Sequence, residues 1–235
     1  MRAAPAEIEA MRSIVRGSMY PGDEIVCVSP AGLMGTLKLL GQHSDPDGNG
    51  MLNSRLSQGF LYDAQRACRR NYISNEGYIL EISETHAGFS CSQNPADHIS
   101  DDSVVKKRPI NRNGGKTDPG IHAILPLGRS GFLGGLWIMS EVSGCGLKLD
   151  LRRVPVLQYT VEICEVLHQD PYSISSEGAY LFAAASGESF ASELRRHGIM
   201  ASSCGYADSS NDRLLFSGTI TRYLNKPPKE VRPGI

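Results

Sequence analysis

No stretch of the 235 residues holds the roughly 18 consecutive apolar residues that a membrane-crossing helix needs. Residues 1–20 alternate charged and small side chains where a secretory leader requires an apolar centre. An excess of charge of one sign is also lacking: 24 Lys and Arg stand against 25 Asp and Glu, a net of −1, which leaves no electrostatic footprint for nucleic acid or an anionic membrane. The six cysteines (Cys27, Cys68, Cys91, Cys145, Cys164 and Cys204) include no CxxC pair, and a chain this long buries a core without disulfides. Reduced, structural thiols are expected, with Cys27, Cys145 and Cys164 acting as small buried hydrophobes. Together these absences predict a soluble, cytoplasmic chain with neither nucleic acid nor membrane as its partner.

What is present is an alternation of strand and helix signals. The turn Pro21-Gly22-Asp23 leads into a β-rich run over 24–28, followed by a helix over 32–40 with Leu33, Leu37 and Leu40 on one face. Leu56, Phe60, Leu61, Ala64, Ala67 and Cys68 recur at helical spacing and predict a helix over 54–70. Beyond residue 119 come a strand over 121–125, a helix over 132–142 stopped by Gly144, and a strand over 147–151. Leu157, Val161, Cys164 and Leu167 mark a helix with Pro155 in its first turn. A strand over 178–185, a helix over 188–197 ended by Gly198, and short strands over 199–204 and 213–217 complete the pattern. The fold class implied is α+β, a mixed sheet of about four to six strands layered with helices.

The chemistry-bearing candidate is the run 120–137, where Gly128-Arg129-Ser130-Gly131 forms a turn between strand and helix. Backbone N–H groups at such a helix start can hold a phosphate, with Arg129 as charge partner; a tight turn with Ser130 as helix cap is the simpler account. Asp45-Pro46-Asp47-Gly48-Asn49-Gly50 has the beginning of a calcium loop, but its twelfth position is Leu56 rather than a bidentate carboxylate, so a polar turn is expected. Gly114-Gly115-Lys116-Thr117 lacks the upstream glycine and strand of a phosphate loop, with Ile110 at the glycine's place. His86, Cys91, Asp97 and His98 match no zinc spacing, and Lys106-Lys107-Arg108 is too short to argue for nucleic acid. No metal site is expected.

In this order, residues 22–40 and 120–228 resemble the C-terminal domain of the AIR synthase-related family, most nearly the hydrogenase-maturation branch that dehydrates a carbamoyl group. The match rests on Gly22-Asp23-Glu24-Ile25-Val26, Gly32-Leu33-Met34-Gly35-Thr36, Gly131-Phe132-Leu133-Gly134-Gly135-Leu136-Trp137, Glu141-Val142-Ser143-Gly144-Cys145-Gly146-Leu147, Asp170-Pro171-Tyr172 and Ser175-Ser176-Glu177-Gly178-Ala179. The resemblance implies an N-terminal arm over 1–20 and one domain over 21–235. It also implies a larger unit whose other half, carrying acidic residues that bind magnesium and ATP, would come from another chain, so that no cofactor is expected on this chain alone. Where the family's loop reads His-Asp-Pro-Thr-Glu-Gly-Gly, this chain has Leu125, Pro126, Leu127, Gly128, Arg129, Ser130 and Gly131. A Leu and a Pro neither accept a proton nor polarise a phosphate, so a binding or assembly role is expected rather than inherited catalysis; the alternative is an ATP- or phosphate-ligand-using enzyme completed in trans. Self-association or a complex with the missing half is expected, with the helices carrying 133–137 and 56–68 supporting the partner face.

Residues 81–119 shift to Ser, Asn, Asp, Gly and Pro with almost no periodic apolar signal, the composition of a long loop insertion that cannot offset its ordering entropy. Limited proteolysis of the native protein is therefore expected to cut first within 81–119; slow amide exchange throughout that segment would contradict the reading.

Overall fold

The computed structural model describes residues 3–44, 50–73 and 120–228. The expected insertion at 81–119, with its His86, Cys91, Asp97, His98, basic triplet and Gly114–Thr117 motif, lies outside the described residues, as do residues 45–49 of the calcium-like turn. In chain order the elements are α1 (Pro5–Arg12), β1 (Arg16–Gly17), β2 (Glu24–Val28), α2 (Leu33–His43), α3 (Gln58–Ile73), β3 (Ile121–Pro126), α4 (Gly131–Ser143), β4 (Gly146–Asp150), a 3-10 turn (Leu151–Arg153), α5 (Gln158–Val166), β5 (Tyr180–Ala184), α6 (Gly187–Arg196), β6 (Ala201–Asp208), β7 (Arg213–Ser217) and β8 (Ile220–Tyr223).

The described strands form one mixed sheet in the order β1-β3-β5-β2-β6-β4-β7-β8. Every neighbouring pair is antiparallel except β4 and β7, which run parallel. The architecture is α+β as the sequence pattern implied, but with eight strands instead of four to six. The two unforeseen strands are those that pattern reading cannot see: β1 has two residues, and β8 is exposed at all four positions, so neither shows apolar alternation.

Both faces of the central strands are covered, which is why β2 and β5 read as continuous apolar runs rather than alternating ones. On one face Ile25, Cys27, Ala123, Leu125, Leu147, Leu149, Leu181 and Leu215 pack with Phe132, Leu136 and Trp137 of α4. The other face carries Val26, Val28, Ile124 and Phe182 against Phe190, Ala191 and Leu194 of α6, with the Phe182 and Phe190 rings 5.0 Å apart. Burial of each such side chain stabilises the fold by about 1.5–3 kcal/mol. A third cluster gathers Leu40, Leu52, Leu61, Ala64 and Ile163 between α2, α3 and α5.

Residues 3–20 contribute Ala3, Met11, Val15 and Met19 to the first core. Pro155 does not open α5: Leu157 is its N-cap, and the preceding segment is extended, bridging Val156 to Ala31 while the Pro155 carbonyl accepts the Ala31 N–H at 2.9 Å. Thr160, Ile163 and Cys164 turn inward, and Val161, counted among the inward positions from its spacing, is left 38% exposed. Among the described residues no helix is long and apolar enough to cross a membrane.

Glu141, on α4, is the most deeply buried carboxylate with a cationic partner. Its side chain is 2% exposed, its Oε1 lies 2.7 Å from Nη2 of Arg213 on β7, and its Oε2 accepts the Ala3 N–H at 3.1 Å. The Arg213 guanidinium also sits 6.0 Å over the Trp137 ring, and the Lys226 ammonium lies 5.4 Å from the same ring. Removing the cation would strand a buried charge, so Arg213→Ala is expected to destabilise the fold by about 3–5 kcal/mol, measured by denaturant unfolding. A loss below about 1 kcal/mol would show that water reaches Glu141.

Candidate functional site

The expected phosphate turn lies where β3 hands over to α4. Pro126 is exposed, Leu125 and Leu127 are buried, Arg129 is exposed and Ser130 is 9% exposed. Ser130 occupies the N-cap position, but its backbone is already helical and its side chain makes no capping bond, so it does not act as the cap its residue type suggests. Gly131, at φ 67°, takes the left-handed conformation that other residues adopt at a cost.

Two amides of this helix start are engaged by the chain itself. Gly131 N–H donates to the Gly128 carbonyl at 3.1 Å, and Leu133 N–H donates to the Tyr172 carbonyl at 3.0 Å. The Gly128 carbonyl also accepts the Ser176 N–H at 3.0 Å. A Cβ on Gly131 would stand 2.6 Å from the Ile174 oxygen and 2.7 Å from the Ser173 carbonyl carbon. The glycine is needed because a second strip of backbone lies directly on it.

That strip, residues 172–176, serves a second helix as well. Gly35 N–H in the first turn of α2 donates to the Ser175 carbonyl at 2.7 Å, and the Gly32 N–H donates to Ser176 Oγ at 2.9 Å. Gly32 is left-handed (φ 80°), and a Cβ at Gly35 would overlap Ile174 at 2.7 Å. Asp170 shapes the strip, accepting the Tyr172 N–H at 3.0 Å and the Ser173 hydroxyl at 3.0 Å. The Tyr172 hydroxyl donates to the Leu151 carbonyl, and burial raises its pKa. Three blocks far apart in sequence, 32–36, 131–137 and 170–179, thus meet at one junction, an encounter that no spacing along the chain announces.

A second polar constellation went without a role at the level of sequence. Asp23 is fully buried, and His122 Nδ1 lies 2.9 and 3.0 Å from its two carboxylate oxygens. Asp23 Oδ2 also accepts the Tyr20 N–H at 2.8 Å, and the Tyr20 ring meets the imidazole edge-on at 5.1 Å. The register of β3 against β5 shifts between Ile121 and Ala123, so His122 is the extra residue of a bulge, which re-aims its ring toward the turn before β2. An Asp that orients an imidazole in this way can support acid–base chemistry, but no hydroxyl or thiol partner for Nε2 is present among the described residues, and the pair acts as a staple between turn and strand.

The described cysteines are free and buried. Burial raises Cys68 and Cys164 to about 11 and Cys204 to about 12, and lifts Cys27 well above its ordinary value. Such thiols are poor nucleophiles at neutral pH, in agreement with their reading as core residues. Among the described residues no three His, Cys, Asp or Glu side chains converge as a metal-binding group. On the helices carrying 133–137 and 56–68, Leu136, Trp137, Leu61, Ala64 and Cys68 are buried, whereas Leu133, Leu56 and Phe60 are half-buried and Tyr62 is exposed. Their apolar sides are consumed by the first and third cores.

A family model for "AIR synthase related protein, C-terminal domain" matches residues 88–214, more than half of the chain. The protein belongs to this family. Among solved structures it is similar to hydrogenase maturation protein HypE in complex with ATP (16% identity, TM-score 0.55, covering 92% of this chain and 53% of that one). It is also similar to a HypE–HypF complex chain (15%, 0.52, 90% and 55%) and to thiamine-monophosphate kinase from Stenotrophomonas maltophilia (11%, 0.53, 86% and 52%). At these identities the likeness is one of fold, and the chain spans about half the length of the structures it matches. No curated protein matches the sequence.

The junction makes Gly131 a packing residue as much as a loop residue. Gly131→Ala is expected to destabilise the protein by about 2–4 kcal/mol in equilibrium unfolding, from the left-handed backbone plus overlap with the backbone of Ser173 and Ile174. Unchanged stability would mean that the strip over residues 172–176 moves aside readily.

Proposed function

We propose that this AIR synthase-related domain acts in binding or assembly and does not turn over a nucleotide by itself, any nucleotide-binding half being supplied by another chain. The observation that carries the reading is the junction at the start of α4. There the Gly131 and Leu133 amides donate to the Gly128 and Tyr172 carbonyls, and the space above Gly131 is taken by residues 173 and 174. Beside them stand Leu125, Pro126 and Leu127, which offer neither a proton acceptor nor a metal ligand. That one HypE neighbour was solved with ATP and another with HypF supports a role among partners for this fold, although those associations belong to the longer proteins.

A second reading has Arg129 behind it. Its side chain is exposed at the lip of the α4 start, where it could meet a phosphorylated ligand whose remaining contacts come from a partner chain. The two readings separate in one assay. Purified protein alone is expected to show no magnesium-dependent ATP hydrolysis; turnover that survives stringent purification and disappears in Arg129→Ala would establish the enzymatic reading instead.

A further inference from the structure

Helix α3 has two sides of opposite character. Leu61, Ala64 and Cys68 are buried, whereas Tyr62, Arg66, Arg69 and Arg70 are exposed, Tyr62 at 65%. At about 100° per residue, positions 62, 66, 69 and 70 fall within an arc of roughly 100° and span about 12 Å along the axis. None of these arginines makes an ion pair among the described residues, and the flanking Asp63 makes none either. Most other described cations do have an acidic partner, among them Lys38 with Glu177, Lys148 with Asp208, and both Arg153 and Arg195 with Glu188. In a chain of net charge −1, three adjacent guanidinium groups without an acidic partner among the described residues, beside an exposed aromatic, are a local exception.

We infer that the outer stripe of α3, formed by Tyr62, Arg66, Arg69 and Arg70, docks an acidic protein helix. The partner's carboxylates, spaced one and two turns apart, would pair with the guanidinium forks while an apolar side chain covers the Tyr62 ring. Arg and Tyr are the residue types that dominate protein interfaces, and planar bidentate pairing with carboxylates gives the contact its direction. A second copy of this chain does not fit, since a two-fold contact would set equal stripes of positive charge against each other. Nucleic acid fits less well: tight binding engages about 6–10 phosphates, more than one stripe of three arginines supplies. A lipid surface needs an apolar helix face, and that of α3 is already buried in the third core. The inference goes beyond the preceding proposal and stands whether or not the protein hydrolyses ATP.

The test uses the full chain and a fluorescein-labelled helical peptide of about 20 residues, long enough to hold its helix, with Glu at successive i, i+4 positions and one Leu. Anisotropy is measured for this peptide, for its Glu→Gln counterpart and for a single-stranded oligonucleotide, at low and at physiological ionic strength. Expected are binding of the Glu peptide that weakens with salt, and a loss of affinity of about tenfold or more in the double variant R66E/R69E. Y62A should weaken binding without altering the salt dependence. The milder R66Q/R69Q keeps the experiment readable where charge reversal disturbs the helix, and melting curves report on folding. Equal affinity of the variants, equal affinity for the Gln peptide, tighter binding of the oligonucleotide, or no binding at millimolar peptide would overturn the proposal. Failure of both double variants to fold would also overturn it, because the stripe would then be part of the fold.

Discussion

The amides at the starts of α2 and α4 must find acceptors, because residues 32–35 and 131–134 are largely buried and an unpaired N–H there costs about 1–3 kcal/mol. Residues 172–176 supply acceptors to both helices at once: the Tyr172 and Ser175 carbonyls and the Ser176 hydroxyl. The strip itself is held by Asp170 and by the Ser176 N–H bond to Gly128. Glycine at positions 32, 35 and 131 follows from close packing here: a Cβ would meet the backbone of Ser173 and Ile174 at Gly131, the Ile174 side chain at Gly35 and the Thr160 side chain at Gly32, each at about 3 Å or less. The junction ties α2, α4 and the connection from α5 to β5 into one unit, and it fixes where α4 lies across the sheet.

This constraint also bears on function. A glycine turn that opens a helix satisfies the local requirements for holding a phosphate, yet the same glycines satisfy the requirements of backbone packing. Which role prevails depends on what occupies the space above the turn: above Gly131 it is the chain's own backbone, whereas Gly128 faces open space and Arg129 is exposed. The family's scaffold is therefore retained together with a loop whose polar positions are held by Leu125, Pro126 and Leu127. On the outside of the domain stand the arginine stripe of α3 and the exposed Tyr206, Ile220 and Tyr223 of the β6 and β7–β8 end of the sheet.

The electrostatic organisation follows burial. Inside, Asp23 is held by His122 and Glu141 by Arg213, and each pair joins segments far apart in the chain. Outside, exposed ion pairs contribute about 0–1 kcal/mol each, whether local, as Arg152 with Asp150, or long-range, as Lys38 with Glu177. The buried pairs tie their segments together more strongly than the exposed ones do.

The long elements were legible in the sequence because their signals are local. Apolar periodicity placed α2, α3 and α4, a β-rich run placed β2, a dense apolar run placed β5, and Gly144 and Gly198, both left-handed, mark the ends of α4 and α6 as their positions suggest. The order of the motif blocks likewise pointed to the family. What no local signal carries is the meeting of elements: the strip 172–176 lying on Gly131 and Gly35, His122 turned by a bulge onto Asp23, and the short β1 and exposed β8 that complete the sheet. These arise from contacts between residues tens to more than a hundred positions apart, so the sequence by itself determined the helices, the central strands and the kind of domain. The tertiary structure alone decided whether the Gly128–Gly131 turn faces solvent or the chain's own backbone, because the occupant of the space above a turn comes from another part of the fold.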